Sequence, residues 1–320
     1  GLRQMEEKYL TKFDGSIFED PQQHFMLIAL TAVHSDIKTY ANGSSLDFQK
    51  DSLLNYYIIQ KMDESNSPTP FSVGLRTPFK SYDSCLLFEI DDNNNSIEAG
   101  MMTAQKATVA GAGVGTSIGR IRAKGRPLRK TGVHAGLLGY LGQLSKTIKG
   151  SNQISRGGSA TVNLPFWHRD YYDLVMLKDT SGGIEGENRY RHLDYAFHYS
   201  EYLVNKLKNN GKILLVSPDE LLPSGKNVYE AFYNLSEDGL NYDDSEFIEY
   251  CESRLNNPDV PLEYVSNINS GSIKPGVAVY TNAYDLFSTF VTQLFSNGRL
   301  YTLNINNVNN HSSFLDIVTM

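Results

Sequence analysis

The stretch GAGVGTSIGRIRAKGRPLRK, residues 111–130, opens on alternating glycines and ends with six basic residues in the eleven positions 120–130. Glycines let a ligand approach backbone N–H groups closely, and Arg and Lys supply charge-assisted donors. The stretch therefore has the chemistry of a phosphate site. Two standard cradles are excluded. A G-x-G-x-x-G dinucleotide loop needs glycine where Thr116 or Ile118 stands, and no G-x-x-x-x-G-K-[ST] motif is present.

The surroundings strengthen the phosphate reading. Residues 99–169 hold 11 Lys or Arg, no Asp or Glu, and 13 of the 26 glycines, while the rest of the chain carries all 36 acidic residues. An acid-free, glycine-rich window inside an acidic chain points to an anionic ligand; a solvated basic face is the alternative. The net charge of −7 argues against nucleic acid as a direct partner.

The 320 residues suffice for one large domain or two ordinary ones, with 40% apolar and 20% charged residues as in a globular protein. No apolar run reaches the roughly 18 residues that span a bilayer, so no membrane is expected. The polar N-terminus shows no signal peptide. Cys85 and Cys251 lie far apart and give no disulfide framework, which suggests a reducing, cytoplasmic compartment.

Asp20 is a plausible N-cap with Pro21 at the first position of a helix over 21–37, and a second helix is expected over 46–62. The turn-rich segment 65–79 follows, so a boundary falls near 64, dividing a helical segment 1–64 from 65–320. Beyond it strands and helices alternate. CLLFEI (85–90) reads as a buried strand. Residues 91–96 read as a turn capping a helix that runs to about 109. Further strands are expected at 117–123, 160–164, 212–217 and 300–305. Helices are expected at 134–148, 170–178, 195–208, 245–255 and 284–295. Repeated strand–helix units mean α/β with parallel strands, as a barrel or an open sheet.

The seven His are scattered and no Cys pair exists, so no metal site is expected. His168 and His192 read as structural or surface groups. Cys251 lies among acids in EFIEYCESR, which disfavours a thiolate. Cys85 is either a small buried hydrophobe or a redox thiol at the mouth of a site. SRGGSA (155–160) is either a ligand loop or a tight turn.

Taken together, several stretches resemble one family, the large catalytic subunit of class I ribonucleotide reductase. They are Thr69-Pro70 with GLRTP, Ser84-Cys85, GAGVGTSIGRIRAKGRPLR, SRGGSATVNLPFWH, GGIEGENRYRHLDYAF and GRLYTLNINNVNNHSSF, in matching order and spacing. The Asn- and Tyr-rich character looks phage-like.

The resemblance implies a ten-stranded α/β barrel, of which residues 65–320 would form the N-terminal half. It implies reduction of ribonucleoside diphosphates to deoxyribonucleotides. Cys85 would be one of two reducing thiols, with Thr69, Ser84 and the Gly113 backbone touching substrate. Asp92, Ile97, Arg122 and Arg129 would form the specificity site for a dNTP or ATP effector with Mg²⁺, and the loop 125–131 would close on it. Arg156 and Gly157 would carry its message to the substrate. No cofactor would be covalently bound. The radical would come from a separate metal-containing small subunit, and the large subunit would be a homodimer.

The family's radical-bearing Cys would follow the segment HSSFLDIVTM, after Met320. Completion of the barrel, by a further segment or by a second chain, would then be needed for turnover, and this chain alone is expected to be inactive. A non-catalytic dNTP-binding fragment and an unrelated phosphate-binding barrel are the alternatives.

Overall fold

A computed structural model describes residues 1–27, 52, 55–56, 85–128, 132–151, 157–179, 189–236, 241–266 and 277–311. The expected turn-rich segment 65–79, most of the helix over 46–62 and the later part of the helix over 21–37 lie outside them. The chain divides into two compact units. One comprises Gly1–Leu86, Gln105–Val114 and Ser151–Gly158; the other comprises Leu87–Ala104, Gly115–Gly150 and Ser159–Met320.

In the first unit, helix α1 (Leu2–Lys8) precedes an antiparallel hairpin of β1 (Lys12–Phe13) and β2 (Ser16–Ile17). Asp14 and Gly15 both have positive φ, 49° and 77°, which is the Asp-Gly turn that matches the twist of paired strands. The expected cap at Asp20 is present. Its Oδ1 accepts the Gln23 N–H at 2.8 Å while Gln23 Oε1 accepts the Asp20 N–H at 2.9 Å.

A five-stranded sheet takes the order β12-β8-β7-β4-β3; most of it belongs to the second unit, while residues 85–86 and 113–114 are counted in the first. Its strands are β3 (Cys85–Glu89), β4 (Gly113–Ser117), β7 (Ala160–Pro165), β8 (Asp194–Tyr199) and β12 (Leu300–Asn304). β7 and β12 both run parallel to β8. Between β4 and β7 lies a small hairpin of β5 (Pro127–Leu128) and β6 (Gly132–Val133). A second sheet takes the order β10-β11-β9, with β9 (Lys212–Leu215), β10 (Leu262–Tyr264) and β11 (Ala278–Asn282). β10 and β11 are parallel and β11 and β9 antiparallel. The chain is thus mixed α/β with parallel strand pairing.

The helices are α2 (Asn94–Val109), α3 (Leu138–Gly150), α4 (Tyr171–Val175), α5 (Glu201–Lys208), α6 (Val228–Phe232), α7 (Ser245–Leu255), α8 (Ala283–Asn297) and α9 (Ile305–Asn310). Their apolar faces and the sheet enclose an aromatic core. Trp167, fully buried, lies 5.4 Å from Phe232 and 5.3 Å from Phe247 between ring centroids.

Four expectations change. The strand expected at 117–123 is instead β4, formed by GVGTS. Val114, Gly115 and Thr116 are buried, so neighbours on both sides override the poor strand propensity of glycine. The helix expected over 195–208 is a strand followed by a helix, because DYAFHY is buried at nearly every position and paired on both edges. Ser200 caps the helix that follows. The helix expected from 134 begins at Leu138, after Gly136 at φ 89°. CLLFE is an edge strand with Leu87 68% exposed, not a buried one.

Candidate anion site around a basic hairpin

β4 ends at Ser117, and residues 118–126 leave the sheet as irregular chain. Such a segment must find partners for its backbone polar groups, and here side chains supply them. His168 Nε2 donates to the Ile121 carbonyl at 3.0 Å. Asp92 Oδ1 accepts the Arg122 N–H at 3.2 Å. Ser217 Oγ accepts the Ala123 N–H at 2.9 Å, and Asp170 Oδ1 accepts the Lys124 N–H at 3.0 Å. His168 is fully buried, and burial holds its imidazole below the ordinary pKa, so it serves as a neutral strut. Its Nδ1 accepts the Asp170 N–H at 3.1 Å, which fixes the tautomer. That matches the structural reading of His168.

The hairpin grows from this braced segment. The Gly125 N–H reaches the His134 carbonyl at 2.8 Å, and the His134 N–H reaches the Arg126 carbonyl at 2.7 Å. Gly125 takes φ 83°, which a side chain would strain.

Asp92 and Arg122 meet here. Arg122 Nε donates to Asp92 Oδ2 at 2.5 Å and Nη1 to the Pro127 carbonyl at 2.9 Å. Asp92 thus holds both the backbone and the guanidinium of one residue. A guanidinium has five N–H donors, so these two bonds orient Arg122 without exhausting it. Ile97 lies half-buried in the first turn of α2, a few residues beyond Asp92. Arg129, Arg156, Thr69 and Ser84 lie outside the described residues. Gly157 is described just before β7. Cys85 is exposed and opens β3, and Gly113 opens β4, the neighbouring strand.

Other residues of the basic run serve different ends. Arg126 forms a two-pronged pair with Asp219, Nε to Oδ1 at 3.1 Å and Nη2 to Oδ2 at 2.9 Å. Arg120 pairs with Glu89 at 2.8 Å and lies 4.6 Å over the Tyr229 ring. Tyr229 also donates its hydroxyl to Glu89. Burial, with that carboxylate beside it, keeps the phenol protonated. Glu89, Arg120 and Tyr229 line a cavity of about 680 Å³ with Ser117, Asn163 and His198, and Glu89, Ser117, Asn163 and His198 come from four strands of the sheet. Sequence reasoning missed Asp219, Asp170, Glu89 and Tyr229. Glu89, Asp170 and Asp219 carried only the signal of lying at or shortly after a strand end, and Tyr229, inside α6, carried none.

Among the described residues no group of three or more His, Cys, Asp or Glu side chains converges to hold a metal ion. No helix among them is long and apolar enough to cross a membrane.

The geometry is joined by a family match. The description "Ribonucleotide reductase, barrel domain" matches residues 83–320. The chain is 31% identical over 321 residues to "Ribonucleoside-diphosphate reductase 1 subunit alpha" of Salmonella typhimurium, covering 99% of this chain and 37% of that protein. It is 30% identical over 319 residues to the corresponding alpha subunit of Enterobacteria phage T4, covering 98% of this chain and 37% of that one. The "Ribonucleoside-diphosphate reductase large subunit" of Arabidopsis thaliana is 30% identical over 228 residues, 69% of this chain and 26% of that protein. This chain belongs to the ribonucleotide reductase family. It spans about 37% of the length of the bacterial and phage relatives. The family match sets aside an unrelated phosphate-binding barrel.

Proposed function

We infer that the chain is a portion of a ribonucleoside-diphosphate reductase large subunit, carrying the site where a deoxynucleoside triphosphate or ATP, with Mg²⁺, sets substrate choice. The observation that carries this reading is the Asp92–Arg122 pair at the neck of a basic hairpin. An oriented guanidinium and the N-terminal turn of α2 suit an anionic nucleotide. Asp92, Ile97, Arg122 and Arg129 are the proposed effector contacts, and Arg156 and Gly157 relay the bound state toward the substrate.

The substrate is a ribonucleoside diphosphate. Cys85, with Thr69, Ser84 and the Gly113 backbone, faces it, and Cys85 supplies one of the two electrons-bearing thiols. The exposure of Cys85 supports a thiol kept for chemistry rather than packing. The radical comes from a separate metal-containing small subunit, and the active assembly is a cytoplasmic homodimer. Residues 1–64 form a helical segment, and 65–320 form the N-terminal half of a ten-stranded barrel. The parallel pairing of β7, β8 and β12 supports that half-barrel.

The test is calorimetric titration of the chain with dTTP and dATP. Saturable binding that Arg122→Ala removes supports the reading; no binding by a folded chain rejects it.

A further inference from the structure

Arg126 belongs to the basic run, yet its charge is already engaged. Nε lies 3.1 Å from both oxygens of Asp219, and Nη2 lies 2.9 Å from Oδ2. Asp219 also accepts the Ser217 hydroxyl at 2.5 Å, and Ser217 Oγ in turn accepts the Ala123 N–H at 2.9 Å. The bonds close a ring: Arg126 side chain, Asp219, Ser217, Ala123 backbone, and back along the chain to Arg126. Asp170 braces the Lys124 N–H within the same turn. The two backbone bonds between Gly125, Arg126 and His134 that start the hairpin stand directly on this ring. Both partners of the ion pair are about three-quarters buried, at 29% and 24% side-chain exposure, so water competes only weakly for the two-pronged geometry. Burial alone would raise the Asp219 carboxyl, but the bonds from Arg126 and Ser217 hold it below its ordinary pKa.

We propose that Asp219 is a positioning residue: its pair with Arg126 fixes the neck of the basic hairpin and so sets how Arg122 meets an anionic effector. Arg122 is tied into the same neck through the Pro127 carbonyl, one residue beyond Arg126. Displacing residues 126–127 therefore displaces a partner of the Arg122 guanidinium. The inference rests on the effector reading above and names the residue that holds that site in register.

Positioning and simple electrostatics predict opposite signs. Asp219 is a negative charge near an anion site. If it acted only through its field, neutralising it would tighten binding of a triphosphate. If it positions the hairpin, neutralising it weakens binding although the site becomes more positive.

The experiment uses Asp219→Asn in the full chain, with two readouts. Calorimetric titration with dTTP is expected to show about tenfold weaker binding, the loss of roughly one charge-assisted bond. Amide exchange without nucleotide is expected to quicken at Gly125 and His134 while the α7 amides stay unchanged. Arg126→Lys keeps the charge but cannot make two parallel N–H bonds, and should loosen the same amides; it serves if Asp219→Asn does not fold. Arg126→Gln combined with Asp219→Asn should be no weaker than either alone, since both remove one interaction. Binding by Asp219→Asn as tight as or tighter than wild type overturns the proposal, as does unchanged exchange at the neck. If the wild-type chain binds no dTTP, the effector reading fails. The exchange measurement then decides the clamp alone: faster exchange upholds it and unchanged exchange overturns it.

Discussion

The Lys178 ammonium lies 2.8 Å from Asp194 Oδ1, and both side chains are almost wholly buried, at 3% and 7% exposure. Arg299, just before β12, reaches the same carboxylate at 2.9 Å. Asp194 opens β8, so one carboxylate ties the end of the α4 region, the start of β8 and the approach to β12. Removing it takes a carboxylate partner from a buried ammonium. Asp194→Ala should cost about 3–5 kcal/mol of stability, and Asp194→Asn less, because the amide still accepts a hydrogen bond. Urea unfolding followed by circular dichroism measures both, and equal small losses would show the pair to be dispensable.

Arg122→Ala removes a guanidinium that Asp92 and the Pro127 carbonyl hold in place. Binding of dTTP should weaken by roughly 1.5–3 kcal/mol, the range for a charge-assisted contact. Calorimetry at fixed ionic strength reads it directly, and undiminished affinity would take Arg122 out of the site.

The two cysteines should separate cleanly by reactivity. Cys85 is exposed at the start of an edge strand, whereas Cys251 is fully buried in α7. Burial, reinforced by Glu252, pushes the Cys251 thiol well above its ordinary range. A disulfide reagent at neutral pH should therefore titrate one thiol promptly and the second only on unfolding. Cys85→Ser should abolish the prompt phase and leave dTTP binding intact. In an assembly completed with the rest of a large subunit and a small subunit, it should abolish turnover.

His198 on β8 has its pKa pushed down to about 4 by burial. With the ring neutral, Nδ1 accepts from the Tyr233 hydroxyl at 2.8 Å and Nε2 donates to Asn163 Oδ1 at 3.2 Å. The unfolded chain protonates this group near pH 6.5 and the folded chain near 4. Its contribution is thus complete above about pH 6.5 and is lost as pH falls toward 4, by on the order of 3 kcal/mol. Buried His168 acts with the same sign. Denaturant midpoints from pH 7.5 to 4 should fall in this window, and His198→Gln should flatten the fall. A slope that the variant leaves unchanged would rule the residue out.

Much was legible without coordinates. The helix over 245–255 was read to its ends because apolar spacing, an acidic first turn and Arg254 near its close agree. The strands at 85, 160, 212 and 300 begin where short apolar runs follow turn residues. Asp92 and Arg122 were picked through family resemblance and meet in the structure. What one-dimensional reading missed had one physical cause, partners distant in sequence. GVGTS looked like a loop until β7 and β3 flanked it, and DYAFHY looked helical until parallel strands paired both its edges. Residues 121–123 looked like the end of a strand over 117–123, yet the backbone of 121–124 is satisfied by Asp92, Asp170, Ser217 and His168.

The amino-acid sequence by itself determined the alternation of elements and the segregation of charge on which the proposal of an anionic ligand rests, because composition and local periodicity carry these. Only the tertiary structure decided which partner each of these basic residues takes. Arg120 is taken by Glu89 and Arg126 by Asp219, while Arg122 is aimed by Asp92. Those pairings join residues thirty to ninety positions apart. Charges so distant along the chain acquire partners only when the sheet brings its strand ends together, and no local signal records that choice.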